Sequence, residues 1–154
     1  MAIKDLKDYP YRIELKVRDY ECDLQGIVNH ANYIHYCEHA RHEALLDLGG
    51  SFRKMHDEGE DIVVARLKAE YRVSLRSGDE FYVDTAFSRL GVRVVCTQKI
   101  TRKSDGVTCL MAEVHAVLVK DGELTTGETL FDILLQQQQR MKRKEEKKEE
   151  RQRD

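Results

Sequence analysis

The sequence has no apolar run longer than four residues, of which Ile62-Val63-Val64-Ala65 is one. A bilayer-spanning helix needs about 20, so membrane spans are excluded. The start, MAIKDLKDYPYR, is charged and lacks the apolar stretch of a secretory signal. Proline occurs once, at Pro10, and no segment repeats. Cysteine is sparse: Cys22, Cys37, Cys96 and Cys109 lie far apart and form no CxxC. Disulfide-stapled secreted domains are smaller and denser in cysteine, so reduced thiols in a cytoplasm are expected. An excess of one charge is missing too. The chain carries 26 Lys and Arg against 28 Asp and Glu, a net charge of -2. That balance leaves no electrostatic footprint for nucleic acid.

Charge of both signs is what the chain has in quantity, 35% of 154 residues against about 25% in an ordinary domain. Most of the excess sits at one end. Residues 140–154, RMKRKEEKKEERQRD, hold 8 basic and 5 acidic side chains. The length fits one domain with an appendage. The expected division is a globular domain over 1–127 and a helical, charge-rich extension over 128–154.

Within the body the hydrophobic period changes several times. Residues 11–19 alternate, with Tyr11, Ile13, Leu15 and Val17 on one face, which predicts a half-buried strand. From Ala31 the apolar residues Ile34, Cys37, Ala40, Ala44, Leu45 and Leu48 recur at helical steps. Asn29 is the expected N-cap and Gly49-Gly50 the stop. About 18 residues at 1.5 Å each give a helix of roughly 27 Å, enough to cross a small domain. After a polar connector over 51–61, four alternating runs follow. The first places Val63, Ala65, Leu67, Ala69, Tyr71 and Val73 on one face. Turns are expected at Gly78-Asp79, Gly91, Ser104-Asp105-Gly106 and Asp121-Gly122. Residues 107–119 are apolar at nearly every position, as in a strand covered on both faces. Thr125 and Glu128 have capping-box spacing before a final helix. The simplest burial of these faces is an α+β domain, a curved antiparallel sheet of about five strands wrapped around one long helix.

The loop between the first strand and that helix is where chemistry is expected. Asp23 lies seven residues before His30, beside the start of the helix. Helix N-terminal amides polarise a carbonyl oxygen, and a nearby carboxylate serves as base or nucleophile. A loop aspartate that merely accepts amide hydrogen bonds is the plain alternative. His35 and His39 are four apart and could share a metal on one helix face, but the order around His39 and His42 is not HExxH, and metal binding is not expected.

The stretch Asp23-Leu24-Gln25-Gly26-Ile27-Val28-Asn29-His30-Ala31-Asn32-Tyr33 resembles the D-x-x-G-[IV]-[VY]-x-x-x-N-Y signature of 4-hydroxybenzoyl-CoA thioesterase-like hot-dog proteins. Glu38-His39-Ala40-Arg41 resembles the family's E-R-A-R. Tyr71 to Asp79 resembles its Y-x-x-P-x-x-x-G-D, with Ser74 in place of proline. The resemblance spans roughly residues 10–120. It implies the hot-dog fold and hydrolysis of an acyl-CoA thioester without a cofactor. Asp23 matches the catalytic aspartate. His30 matches the position whose backbone amide meets the thioester oxygen. Gly26, Ile27, Val28, Asn29 and Ala31 match the substrate-contacting loop, with Gly26 allowing close backbone approach. Glu38 matches a helix carboxylate that is catalytic in another subgroup. Arg89 and Arg93 flank Gly91, where the family often has basic residues near the nucleotide. Asp19 stands where related enzymes often have tyrosine, and Tyr20 falls one residue late, on the opposite face. The resemblance further implies a homodimer or homotetramer. A non-catalytic acyl-CoA or acyl-carrier-protein binding module on the same fold is the alternative.

Overall fold

The structure, a computed structural model, describes residues 2–49, 52–126 and 128–153. Strand β1 (Tyr11–Lys16) is followed by a single 3-10 turn at Asp19–Glu21 and the long helix α1 (His30–Asp47). A short helix α2 (Phe52–Asp57) interrupts the expected connector. Strands β2 (Glu60–Tyr71), β3 (Glu80–Leu90), β4 (Arg93–Arg102), β5 (Thr108–Lys120) and the short β6 (Glu123–Leu124) come next, and helix α3 (Glu128–Arg153) ends the chain. The sheet order is β1-β3-β4-β5-β2, antiparallel throughout, with β6 paired to β5. This is the α+β half-barrel expected, with α1 on its concave face.

Helix α1 begins where its cap dictates. Asn29 is the N-cap, and its side-chain oxygen accepts the Ala31 N–H at 3.0 Å. At the other end Gly49 takes φ +82, the left-handed geometry that stops helices; Gly50 lies outside the described residues. The buried stripe of α1 is Tyr33, Tyr36, Cys37, Ala40, Ala44 and Leu45. Tyr33, Tyr36, Cys37 and Ala40 pack with Val28, Leu75, Phe81, Val83, Ile100 and Leu110 in one part of the core, and Leu45 packs in another.

The concave face of the sheet is mainly apolar, with Gln98 and Thr85 as buried polar residues on it. Gln98 of β4 is fully buried. Its amide donates to the Cys37 carbonyl (2.9 Å) and the Thr85 hydroxyl (3.0 Å), and its oxygen accepts from Arg41 (3.0 Å). Every bond it can use is directed at α1 or β3, so a buried amide costs little here. In β2 the register shifts between Val64 and Arg66. Ala65 is the extra residue of a bulge, and the strand's facing reverses there. Ile62 and Val64 therefore share the concave face with Leu67, Ala69 and Tyr71, opposite Leu118, Ala116, Val114, Ala112 and Leu110. Val63, expected on that face, lies on the other.

Helix α3 is part of this core at its start. Phe131 is fully buried and Leu134 nearly so, both clustered with Leu45, Val94, Val114 and Leu118. Beyond the end of β1, the edge of β3 is closed by one α3 side chain. Gln138 accepts the Phe87 N–H at 2.8 Å and donates to the Phe87 carbonyl at 2.9 Å, standing in for a missing strand. The side chains of Glu128 and Leu130 lie outside the described residues, and with them the Thr125–Glu128 capping pair. The N-terminal segment crosses the outer face of the sheet. The Ile3 N–H donates to Glu70 of β2 at 2.5 Å, Asp5 pairs with Lys99 of β4 at 2.8 Å, and Asp8 meets Lys142 of α3 at 3.0 Å.

Candidate active site

Residues 18–29 form a loop pinned at both ends. Glu21 holds both its ends: its carboxylate accepts the Arg18 N–H (2.8 Å), and its carbonyl accepts the Asn29 N–H (3.0 Å) and the Asn32 side-chain amide (2.8 Å). Inside it, the Asp23 N–H donates to the Ile27 carbonyl (2.9 Å), and the Gly26 N–H donates to the Asp23 carbonyl (3.0 Å). Gly26 sits at φ +79, yet a β-carbon there would meet nothing within 4 Å. The positive φ is one that glycine adopts without strain, so the turn itself calls for glycine here. The Val28 N–H donates to the Leu75 carbonyl (2.9 Å), which ties the loop to the segment after β2.

Two groups are left free by this arrangement. One oxygen of Asp23 accepts the Gln25 N–H at 2.8 Å; among the described residues its other oxygen has no partner. At the helix start, Asn29 takes the Ala31 N–H with its side chain and the Asn32 N–H (2.9 Å) with its carbonyl. Among the described residues, the His30 N–H between them has no acceptor, as first-turn amides commonly do not. Asp23 and His30 line the same cavity of about 370 Å³ with Gln25, Ile27, Val28 and Tyr33. A carboxylate residue and the first residue of the helix thus line one cavity; a carboxylate can take a proton and a free helix-terminal amide can meet an oxyanion.

Seven residues of this cavity were not marked by sequence reasoning as site residues: Gln25, Tyr33, Tyr71, Arg72, Val73, Ser74 and Cys109. Tyr71 donates to the His30 carbonyl at 2.8 Å, and its ring meets Tyr33 edge-on with 5.4 Å between centroids. This pair spans the gap between α1 and β2 at the helix start. The Tyr71 to Asp79 motif was the signal available, though it marked the family and not a contact. Arg72 brings a cation to the cavity wall, held by Glu70 at 3.4 Å. Burial raises the Cys109 thiol above its ordinary value, raises Cys22 likewise, and pushes Cys37 and Cys96 up to about 12. Thiols shifted that way stay protonated at neutral pH, so none is an activated nucleophile.

Other expected site residues lie elsewhere. Asp19 accepts the Ser77 hydroxyl, and Tyr20 is 78% exposed. Glu38 is exposed on α1, 3.8 Å from His42, and lines a different cavity. Arg93, half-buried, opens β4. Arg89 is committed to α3: it donates to Asp132 (2.8 Å), to the Thr126 carbonyl (3.1 Å) and to the Gly91 carbonyl (2.9 Å). These bonds make it a tie between the β3–β4 turn and the start of α3. His35 and His39 line a smaller cleft with Lys16, Arg18 and Glu21. Among the described residues no three His, Cys, Asp or Glu side chains are grouped to hold a metal, and no helix is long and apolar enough to cross a membrane.

A curved antiparallel sheet around one long helix, with a carboxylate loop leading into the helix start, is the hot-dog architecture of thioester hydrolases. The model of the thioesterase superfamily matches residues 25–109, more than half of the chain, and the chain belongs to that superfamily. It is 42% identical over 78 residues to the chloroplastic acyl-acyl carrier protein thioesterase ATL3 of Arabidopsis thaliana, covering 51% of this chain and 41% of that protein. Its identity to the chloroplastic acyl-acyl carrier protein thioesterase ATL2 of the same plant is 37% over 108 residues, covering 70% and 57%. The chain therefore spans about half the length of these relatives. Among solved structures, a 1,4-dihydroxy-2-naphthoyl-CoA thioesterase from Synechocystis superposes with a TM-score of 0.76 at 15% identity, covering 81% of this chain and 94% of that one. At that identity the likeness is one of fold.

Proposed function

We propose that the protein hydrolyses an acyl-CoA thioester to a free acid and coenzyme A. The observation that carries this reading is the shared cavity of Asp23 and His30, with a free carboxylate oxygen and a free amide N–H. The thioester carbonyl oxygen points at the His30 N–H, where the helix dipole adds to the hydrogen bond. Asp23 then takes a proton from water as it attacks, or attacks the carbonyl itself to give an anhydride that water opens. In either route the C–S bond breaks, the thiol leaves with a proton, and water supplies the acid's second oxygen. Ile27, Val28, Asn29 and Ala31 form the wall and cap of this loop. Arg93 is the proposed contact for the nucleotide phosphates, and Arg72 is a second cation at the cavity itself. Four free thiols support a reducing compartment, the cytoplasm. The test is thiol release measured over a series of acyl-CoAs and acyl carrier protein thioesters. Turnover of the CoA series is expected; binding of the CoA thioesters with no turnover would instead favour a binding module.

The working unit is proposed to be a homodimer or homotetramer. Strand β2 is a free sheet edge, and Val63, Val64, Leu67 and Tyr71 on it are all exposed. A long apolar edge of this kind pairs with another chain unless something blocks it. Light scattering at micromolar concentration should give a multiple of the 18.0 kDa chain mass; a monomer mass would overturn this.

A further inference from the structure

The loop that carries Asp23 is held by two adjacent residues in the first turn of α1. Ahead of Asp23, the Asn32 side-chain amide donates to the Glu21 carbonyl at 2.8 Å, and the Asn29 N–H donates to the same oxygen at 3.0 Å. That oxygen has two lone pairs, and these two donors use both. Beyond Asp23, the Val28 N–H donates to the Leu75 carbonyl at 2.9 Å, and the Leu75 N–H donates to the Tyr33 hydroxyl at 2.9 Å. Asn32 thus grips the loop at Glu21, and Tyr33 grips it at Val28 through Leu75. Asp23 lies between the two grips in the chain.

The helix dictates this division. Successive side chains of an α-helix point about 100° apart, so neighbours in the first turn reach different sides of the loop that enters it. Asn29 fixes where the helix starts, and with it the directions of Asn32 and Tyr33. The Tyr33–Leu75 bond is buried, and Leu75 is fully enclosed in the core. A buried N–H left without an acceptor is costly, so Leu75 depends on that hydroxyl. Asp23 has a weaker hold of its own. Among the described residues its carboxylate meets only the Gln25 N–H, which belongs to the same loop. Its place relative to α1 is therefore the place of the loop, and the His30 N–H sits on the turn that holds the loop.

We propose that Asn32 and Tyr33 are positioning residues that fix the Asp23 carboxylate relative to the His30 N–H. The proposal rests on the reading of Asp23 and His30 as the thioester site. The two groups must meet one carbonyl from different sides, and a misplacement of about 1 Å costs on the order of 10²-fold in rate.

The experiment is a pair of double-mutant cycles in the full-length protein, with an acyl-CoA that the wild type hydrolyses. Asn32→Ala removes the donor to Glu21, and Tyr33→Phe removes only the oxygen that Leu75 uses. Each is measured alone and combined with Asp23→Asn. Alone, each should lower kcat by at least about tenfold, on the scale that misplacement predicts. KM and the affinity for a non-hydrolysable acyl-CoA thioether should stay within about threefold of wild type. Combined with Asp23→Asn, each should lower the residual turnover by less than about twofold, because no carboxylate is left to misplace. A residue that only stabilises the body, or that touches the substrate itself, would lose the same factor in both backgrounds, and that result overturns the proposal. Wild-type kcat in the folded single variants overturns it as well. Thermal melting shows which variants are folded, and Tyr33→Phe, one oxygen smaller than the wild type, decides the matter if Asn32→Ala does not fold. Failure of the thioester-site reading is seen separately, as wild-type turnover in Asp23→Asn alone, and the positioning role falls with it.

Discussion

Asp23→Asn should lower kcat for thioester hydrolysis by at least about 10²-fold, the smaller end of what a positioned base contributes. The substitution changes little else. An asparagine oxygen can still accept the Gln25 N–H, so the turn that Asp23 closes with Gly26 and Ile27 is retained. What is lost is the carboxylate's second oxygen as a base, the one without a partner among the described residues. The fold, the oligomer mass and the affinity for a non-hydrolysable acyl-CoA thioether should therefore stay near wild type while turnover falls. Asp19→Asn is the matched control. Asp19 is four residues away and carries the same charge, but it is held by the Ser77 hydroxyl, and its loss should leave the rate within about threefold. Wild-type turnover in purified Asp23→Asn would remove Asp23 from the chemistry, whatever the fold.

The Asp23–His30 pair was legible in the sequence because everything that makes it is local. A strand end, a glycine turn and an N-cap lie between Lys16 and Asn29, and the motif records the order of the last two. The rest of the cavity was not legible, because it is assembled by pairing across the sheet. Tyr71, Arg72 and Ser74 arrive along β2 and just past its end, and Cys109 from β5, and no spacing along the chain reports that meeting. The same division runs through the fold. Alternation found the strands and the cap found the start of α1. Alternation failed in β2 at Ala65, where one bulged residue turns Val63 outward and brings Ile62 and Val64 in. Gln98 was invisible as a core residue because its polar atoms are satisfied only by Cys37, Thr85 and Arg41, all distant in sequence. Tyr33 and Tyr36 were passed over for Ile34, which is only partly buried and lines the cavity of Glu38. The N-terminal segment gave no pattern at all, since it is held by single contacts to Glu70, Lys99 and Lys142.

The charged extension divides within itself, and two variants should show where. Phe131 is fully buried among Leu45, Val94, Val114 and Leu118. Replacing it with alanine removes a ring from a packed core and should cost about 3–5 kcal/mol, a fall in Tm on the order of 10 °C for a chain of this size. Among the described residues, truncation after Arg140 removes only exposed or half-buried ones and the Lys142–Asp8 ion pair, whose side chains are 45% and 63% exposed. Exposed pairs of that kind add little to stability. In the removed helix Lys147 and Glu150, or Glu149 and Arg153, stand three or four residues apart, a spacing at which opposite charges add little and are screened by salt. Truncation should therefore shift Tm little and leave thioester hydrolysis within about threefold. The opposite ranking, a stable Phe131→Ala and an unstable or inactive truncation, would mean that the charged turns beyond Arg140 hold α3 over the sheet. It would also mean that the burial of Phe131 contributes nothing to the body.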